Sequence, residues 1–336
     1  MNKKPLNVGV IGVGRLGGQY ARYFATRIAG ARLHAISDVR PETAQTIAEE
    51  TGAPKSYGDY RELLADPVVD AVVVMTSTKL HGEVVIAAAR ARKAIFCEKP
   101  LSLDLNEAAA MAAAVEQHGA FFQLGFMRRF DKAYLAARRK IEDGVIGAPI
   151  VFRAIGKDQS PPPVDFLRPA NSGGIFIDMG IHEFDLARWF MGEVKSVFTV
   201  GGALAHPEIG AVGDIDNGIA TLNFVNGNIG LVQLSRTGVY GYGIDTEIMG
   251  TKGTLQIGYD RETAVQVMTK GVIAHDSVPG FYERFEQAYV SQLQNFVDNV
   301  RHDRPAPIVC RDGIAAQRIA LAATRSLHSG QLEPVG

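Results

Sequence analysis

Residues 8–17 read Val-Gly-Val-Ile-Gly-Val-Gly-Arg-Leu-Gly, and no other stretch narrows the possible folds as far. Val8, Val10, Ile11 and Val13 form a short apolar run, and Gly12, Gly14 and Gly17 fall on a GxGxxG spacing. The pattern predicts a buried parallel strand, a tight turn and the start of a helix. The first glycine allows the turn, the second lets a pyrophosphate reach the backbone, and the third lets helix and strand pack closely. The helix N-terminus offers amides and partial positive charge to that anion. Arg15, between the glycines, is placed to lean over the phosphates.

A lone GxGxxG is weak, so the next strand matters. Residues 31–37 predict a second strand, which ends at Asp38, roughly 20 residues past Gly17 as a dinucleotide site requires. A carboxylate there accepts hydrogen bonds from the adenosine ribose and repels a 2′-phosphate, which favours NAD over NADP. Arg40 argues the other way, since a nearby arginine accommodates that phosphate. The plain alternative is a glycine turn followed by a helix-capping aspartate.

At 336 residues the chain exceeds one typical domain and fits two. The formal net charge is -1, with no basic tail or basic-aromatic stripe, which argues against a nucleic-acid partner. Cys97 and Cys310 give neither a disulfide framework nor metal-ligand spacing. The first strand follows the N-terminus at once, leaving no room for a signal peptide. No run of apolar residues is long enough to span a membrane. A soluble cytoplasmic protein without a membrane partner is expected.

Along the first half, residues 18–30 predict a helix that turns Tyr20, Phe24 and Ile28 to the sheet. Helices over 41–51 and 61–65 and a third strand over 68–75 follow. Thr76 and Ser77 are small polar residues at that strand's carboxyl end, where a cofactor sits. His81 opens the next helix, either as a cofactor contact or as a local cap. A fourth strand, 94–97, runs into Glu98-Lys99-Pro100. Pro100 disfavours a helical conformation at Lys99 and holds it extended past the strand end. There it is either a cation beside nicotinamide and substrate or a surface lysine near a turn. A helix over 104–116 and a strand over 121–125 complete this half.

The GxGxxG, Glu98-Lys99-Pro100 and Gly125-Phe126-Met127-Arg128-Arg129-Phe130-Asp131 together resemble the glucose-fructose oxidoreductase and inositol dehydrogenase family over essentially the whole chain. The resemblance implies an NAD-binding α/β Rossmann domain over 1–125. It implies an α+β domain for substrate binding and oligomerisation over 126–336, built on a large open mixed, mainly antiparallel sheet. The C-terminal helix would pack back on the first domain. It also implies that Lys99 lies in the active site, with Glu98 and Lys99 among the residues that touch the cofactor.

In the second half, residues 134–143 predict a helix and 149–155 a strand. Three prolines at 161–163 favour an extended loop framing a pocket. Asp178 and His182 stand four apart, so one helix face would carry both, with Asp185 close to that face. Leu186, Trp189 and Phe190 would form the buried side. A histidine flanked by acids is a candidate base whose tautomer and basicity a neighbour sets. It is equally an ordinary hydrogen-bonded histidine. There is no HExxH motif and no cysteine nearby, so no metal is expected. The run Asp178-Met179-Gly180-Ile181-His182-Glu183-Phe184-Asp185 looks like the DxxxH helix of the family's inositol 2-dehydrogenases. That likeness implies a catalytic set of Lys99, Asp178 and His182.

Residues 194–201, 218–224, 229–235, 244–250, 254–257 and 264–269 predict strands, with Asn226-Gly227 as a hairpin turn. Helices would cover one face of such a sheet and a second subunit the other. A homodimer or homotetramer is expected, in keeping with the family. Tyr240 and Tyr242 suit either a polyol pocket or an interface, and the resemblance favours Tyr242. Long helices are predicted over 281–300 and 312–327. Tyr282, near the start of the first, and Arg128 are further candidate substrate contacts.

These residues point to oxidation of a secondary alcohol, with hydride passing to NAD. His182 would take the hydroxyl proton, Asp178 would orient the imidazole, and Lys99 would stabilise the developing alkoxide. A lysine of lowered pKa could take the proton instead. The resemblance implies myo-inositol, oxidised at C2 to 2-keto-myo-inositol. Scyllo-inositol, glucose or another cyclic polyol or sugar are the same-fold alternatives. A nonenzymatic NAD-binding regulator is the alternative of another class.

Overall fold

The computed structural model describes residues 4–258 and 261–336. The reading of residues 1–3 as a lead into the first strand lies outside them. The chain divides into two compact units, Met1–Phe126 with Tyr289–Ile314, and Met127–Ala288 with Ala315–Gly336.

The first unit holds β1 (Leu6–Ile11), α1 (Arg15–Thr26), β2 (Ala31–Ser37), α2 (Pro41–Thr51), β3 (Lys55–Tyr57), α3 (Tyr60–Ala65), β4 (Ala71–Val74), α4 (His81–Arg90), β5 (Ala94–Glu98), α5 (Leu105–His118) and β6 (Phe122–Gly125). The strands form one parallel sheet in the order β3-β2-β1-β4-β5-β6. Every residue of β1, β4, β5 and β6 is buried. That is the signature of a parallel sheet covered on both faces. Strand order reverses between β1 and β4, and this switch point opens a crevice at the carboxyl ends of the strands. The strand expected over 68–75 is shorter, because Asp66 accepts the Val68 N–H and turns the chain there. The edge strand β3 was not expected; it is largely exposed and polar.

Residues 289–314 complete this core. Tyr289 meets Tyr20 at 5.9 Å between ring centroids, and Phe296 meets Phe96 and Phe121 at 5.8 and 5.7 Å.

The second unit holds α6 (Lys132–Glu142), β7 (Pro149–Lys157), α7 (Val164–Leu167), α8 (Pro169–Ser172), α9 (Ile175–Asp178), α10 (Ile181–Met191), β8 (Val194–Gly202), α11 (Pro207–Ala211), β9 (Asn217–Phe224), β10 (Ile229–Ser235), β11 (Gly243–Gly250), β12 (Thr254–Gly258), β13 (Gln266–Thr269) and β14 (Val272–His275). Helices α12 (Phe281–His302) and α13 (Cys310–Ser329) each have residues in both units, and β15 (Glu333–Pro334) ends the chain. The main sheet runs β12-β11-β7-β10-β9-β8-β15. Its β7–β10 pairing is parallel and the others are antiparallel. Burial alternates along β9, so one face is covered and the other open. Helix α10 packs on β7 and β10 from the covered side. Gly227, at φ +87°, makes the β9–β10 turn in the left-handed region.

One helix was expected through Asp178 and His182, and the structure has two. Gly180 separates them. A Cβ there would lie 2.8 Å from the Phe176 carbonyl oxygen and 2.9 Å from Leu234 Cδ1. The chain presses against β10 at this point and starts again as α10. Asp178 therefore ends one turn and His182 opens the first turn of the next helix.

Candidate functional site

In the first unit, the turn after β1 is shaped by what a side chain would strike. Gly12 has φ +87°, and a Cβ on it would lie 2.8 Å from the Met75 carbonyl and the Thr76 nitrogen. A Cβ on Gly17 would lie 2.0 Å from the Gly12 oxygen. Both positions demand glycine. Gly14 is different: it caps α1, and a Cβ there would meet nothing within 4 Å. Gly14 and Arg15 are both exposed where α1 begins. An anion such as a pyrophosphate fits there.

Asp38 is buried at the end of β2. Its Oδ2 accepts the Val13 N–H at 2.9 Å and its Oδ1 accepts the Arg40 N–H at 3.0 Å. The carboxylate is thereby fixed beside the glycine turn, as a ribose contact requires. The Arg40 side chain is 60% exposed, with Nε 3.4 Å from the same carboxylate. At the end of β4, Ser77 is exposed and Thr76 Oγ1 is buried without a hydrogen-bond partner. An orphan hydroxyl at the switch point is where a bound dinucleotide would supply a partner. The observed residues fit the cofactor.

Two of the expected cofactor contacts, His81 and Glu98, have protein partners of their own. His81 is buried, with Nδ1 2.9 Å from the Pro100 carbonyl oxygen and Nε2 3.2 Å from that of Thr76. Burial holds its pKa down. The ring lies between the end of β4 and the Lys99-Pro100 segment. Glu98 also points inward. Its Oε1 accepts the Tyr20 hydroxyl at 2.5 Å and its Oε2 accepts the Lys99 N–H at 3.0 Å. Burial pushes this carboxyl up, against the opposing Tyr20 hydrogen bond and Lys99 charge. Glu98 thus anchors the backbone of Lys99, which stands half-buried at the sheet's carboxyl edge, joined to Pro100 by a cis peptide bond.

In the second unit, arginines pair with acids of the run from Asp178 to Asp185, and His182 within that run is buried. Arg128 donates to Glu183, the residue after His182, with both side chains at most 5% exposed. Arg129 grips Asp185 through Nε at 2.8 Å and Nη2 at 2.5 Å. Arg236 donates to Asp178 Oδ2 at 3.1 Å. Asp185, expected to flank His182, pairs its carboxylate with Arg129.

Arg128, expected as a substrate contact, is itself paired within the protein. Its charge is met by Glu183, and its guanidinium lies 5.3 Å from the Phe285 ring centre. Tyr242 is buried edge-on to Phe285, and burial raises its hydroxyl pKa while Arg128 opposes the shift. Tyr240 is the exposed member of that pair, and its hydroxyl accepts from Lys157 Nζ at 3.0 Å. Tyr282 is half-buried and stacks on Phe281 at 4.3 Å. Sequence reasoning missed Arg236, Asp214 and the role of Glu183. Their partners are distant in the chain, and no local spacing announces them. Among the described residues, no group of three or more His, Cys, Asp or Glu side chains could hold a metal ion.

Residues 6–126 match the NAD-binding Rossmann fold of an oxidoreductase family, and residues 138–336 match that family's C-terminal alpha/beta domain. The chain is 41% identical over 326 residues to a myo-inositol 2-dehydrogenase of Thermotoga maritima, covering 96% of each chain. It is 39% identical to an NAD(+)-dependent scyllo-inositol 2-dehydrogenase of Bacillus subtilis, covering 96% of this chain and 94% of that one. A crystal structure of scyllo-inositol dehydrogenase from Lactobacillus casei, with bound NAD(H) and scyllo-inositol, superposes with a TM-score of 0.94 at 32% identity over 99% of both chains.

Proposed function

The chain belongs to the Gfo/Idh/MocA oxidoreductase family and is an NAD-dependent dehydrogenase; from that premise we propose that it oxidises the axial C2 hydroxyl of myo-inositol to 2-keto-myo-inositol. The observation that carries the reading is the run from Asp178 to Asp185, which sets a buried histidine among acids held by Arg128, Arg129 and Arg236. Near-full-length likeness to inositol 2-dehydrogenases supports it.

NAD supplies the hydride acceptor when bound. His182 takes the hydroxyl proton at an imidazole nitrogen. Asp178 favours the imidazolium that forms. Lys99 donates a hydrogen bond to the oxygen as negative charge develops on it. Ring hydroxyls can be told apart when the site satisfies each one, because a buried group left unsatisfied discriminates strongly.

Scyllo-inositol is the second reading, since relatives named for the two isomers are 41% and 39% identical to this chain. Steady-state assays with NAD and myo-inositol, scyllo-inositol or D-glucose test the choice. The highest kcat/KM is expected with myo-inositol. A preference for scyllo-inositol or glucose rejects the substrate, and no turnover with any of them rejects the reading.

We further infer a homodimer or homotetramer working in the cytoplasm. Phe198, Val200, Ile219 and Ile229 lie exposed on the open sheet face, and Cys97 and Cys310 are free and buried thiols. Light scattering that returns a monomer mass would contradict the assembly. Among the described residues, no helix is long and apolar enough to cross a membrane.

A further inference from the structure

Arg236 is fully buried, and the chemistry above gives it no contact with substrate or cofactor. It directly follows β10, where its backbone N–H donates to the Asp216 carbonyl at 2.8 Å. Its side chain bridges two acids. Nη2 donates to Asp178 Oδ2 at 3.1 Å, and Nη1 stands 3.6 Å from Asp214 Oδ2.

Those acids belong to opposite ends of one short helix. Asp178 is the last residue of α9, while Asp214 Oδ1 accepts the N–H of Ile175, its first residue, at 3.0 Å. The guanidinium thus ties the start of α9, through Asp214, to its end, through Asp178. A single helical turn is too short to hold itself. Gly174 before it, at φ +78°, and Gly180 after it add no stiffness. Burial pushes the Asp214 carboxyl up and Arg236 draws it back down. The planar fork of a guanidinium can serve two carboxylates at once.

We propose that Arg236 is a positioning residue for Asp178, bridging it to Asp214 so that α9 presents the Asp178 carboxylate in one fixed place. The proposal rests on the role given to Asp178 above. It also accounts for a charge buried where an apolar side chain would be less costly to desolvate.

A double-mutant cycle on the full chain tests it, after the wild type has been assayed with NAD and the inositol panel. Arg236→Met is expected to lower kcat about a hundredfold, the scale of loss when a remote change misplaces a catalytic group. NAD affinity should not change. In an Asp178→Asn background the same substitution should cost no more than about twofold, since no carboxylate remains to be positioned. Arg236→Lys, which keeps the cation but loses the fork, should fall between wild type and Arg236→Met. Wild-type kcat in Arg236→Met, or losses that multiply in the double variant, overturns the proposal.

Removing one member of a buried charge cluster can unfold a protein. If Arg236→Met does not fold, the Arg236→Lys cycle decides by the same criterion, and equal losses with and without Asp178 overturn the proposal. If the wild type oxidises no inositol, the functional reading fails separately. Crystals of Arg236→Lys then decide, and an Asp178 carboxylate left in its wild-type place overturns the positioning role.

Discussion

The two units build their working edges from different materials. In the first, the backbone does most of it. Gly12 and Gly17 let main chain approach main chain, Gly14 leaves space before the α1 amides, and Asp38 is fixed by the N–H groups of Val13 and Arg40. In the second, side-chain charge does it. Arg128–Glu183, Arg129–Asp185 and Arg236–Asp178 join residues 55, 56 and 58 positions apart, and each pair includes a buried arginine or acid. A backbone cradle fails by steric collision. A buried charge cluster fails when one member loses its partner, and that failure is severe. The two units should therefore break differently under substitution.

Lys99 offers a large expected effect on turnover, because it lies on the backbone-built edge while its assigned role is chemical. Lys99→Ala should lower kcat about a hundredfold, the cost of one stabilising donor, and leave NAD affinity nearly intact. A fall in NAD affinity with unchanged kcat would return Lys99 to the cofactor cradle.

Next comes stability in the charge-built unit. Glu183→Gln leaves Arg128 buried with its ion pair cut and should cost about 3–5 kcal/mol in denaturant unfolding. Glu50→Gln cuts the exposed Arg22–Glu50 pair of the first unit and should leave the midpoint where it is. Equal shifts in the two variants would dissolve the contrast.

A smaller effect is expected at the ribose contact. Asp38→Ala should reduce the preference for NAD over NADP by about tenfold, the worth of a charge-assisted hydrogen bond. Unchanged cofactor selectivity would shift attention to Arg40.

The smallest effect is a pH slope. The folded-state pKa of Glu98 lies above the ordinary 4.5 because the group is buried. The folded state then holds this proton more tightly than the unfolded one. Its contribution to stability is complete below 4.5 and fades as pH rises through the folded value. Glu98→Gln should flatten stability against pH across that window, measured by urea midpoints. An unchanged slope would mean that another group carries it.

What the sequence made legible follows the same division. The ends of β2 and α2 could be read directly, because Asp38 and Pro41 mark them locally. The glycine turn and the Asn226-Gly227 hairpin were equally local. The break between α9 and α10 was not, because it depends on Gly180 meeting Leu234 of β10. Nor was the pairing of Asp185 with Arg129, since helical spacing says which acids share a face and nothing about a distant arginine. The β13–β14 hairpin exposes all eight of its strand residues, so β14 left no burial pattern to read.

The central claim is that NAD binding belongs to the first unit and proton removal to the second. One variant measured two ways tests it most directly: His182→Ala, by NAD titration and by turnover with inositol. The account predicts NAD affinity equal to wild type and a kcat lower by about a hundredfold or more, with the loss narrowing toward high pH as solvent helps remove the proton. Turnover near wild type, or loss of NAD affinity, would contradict it.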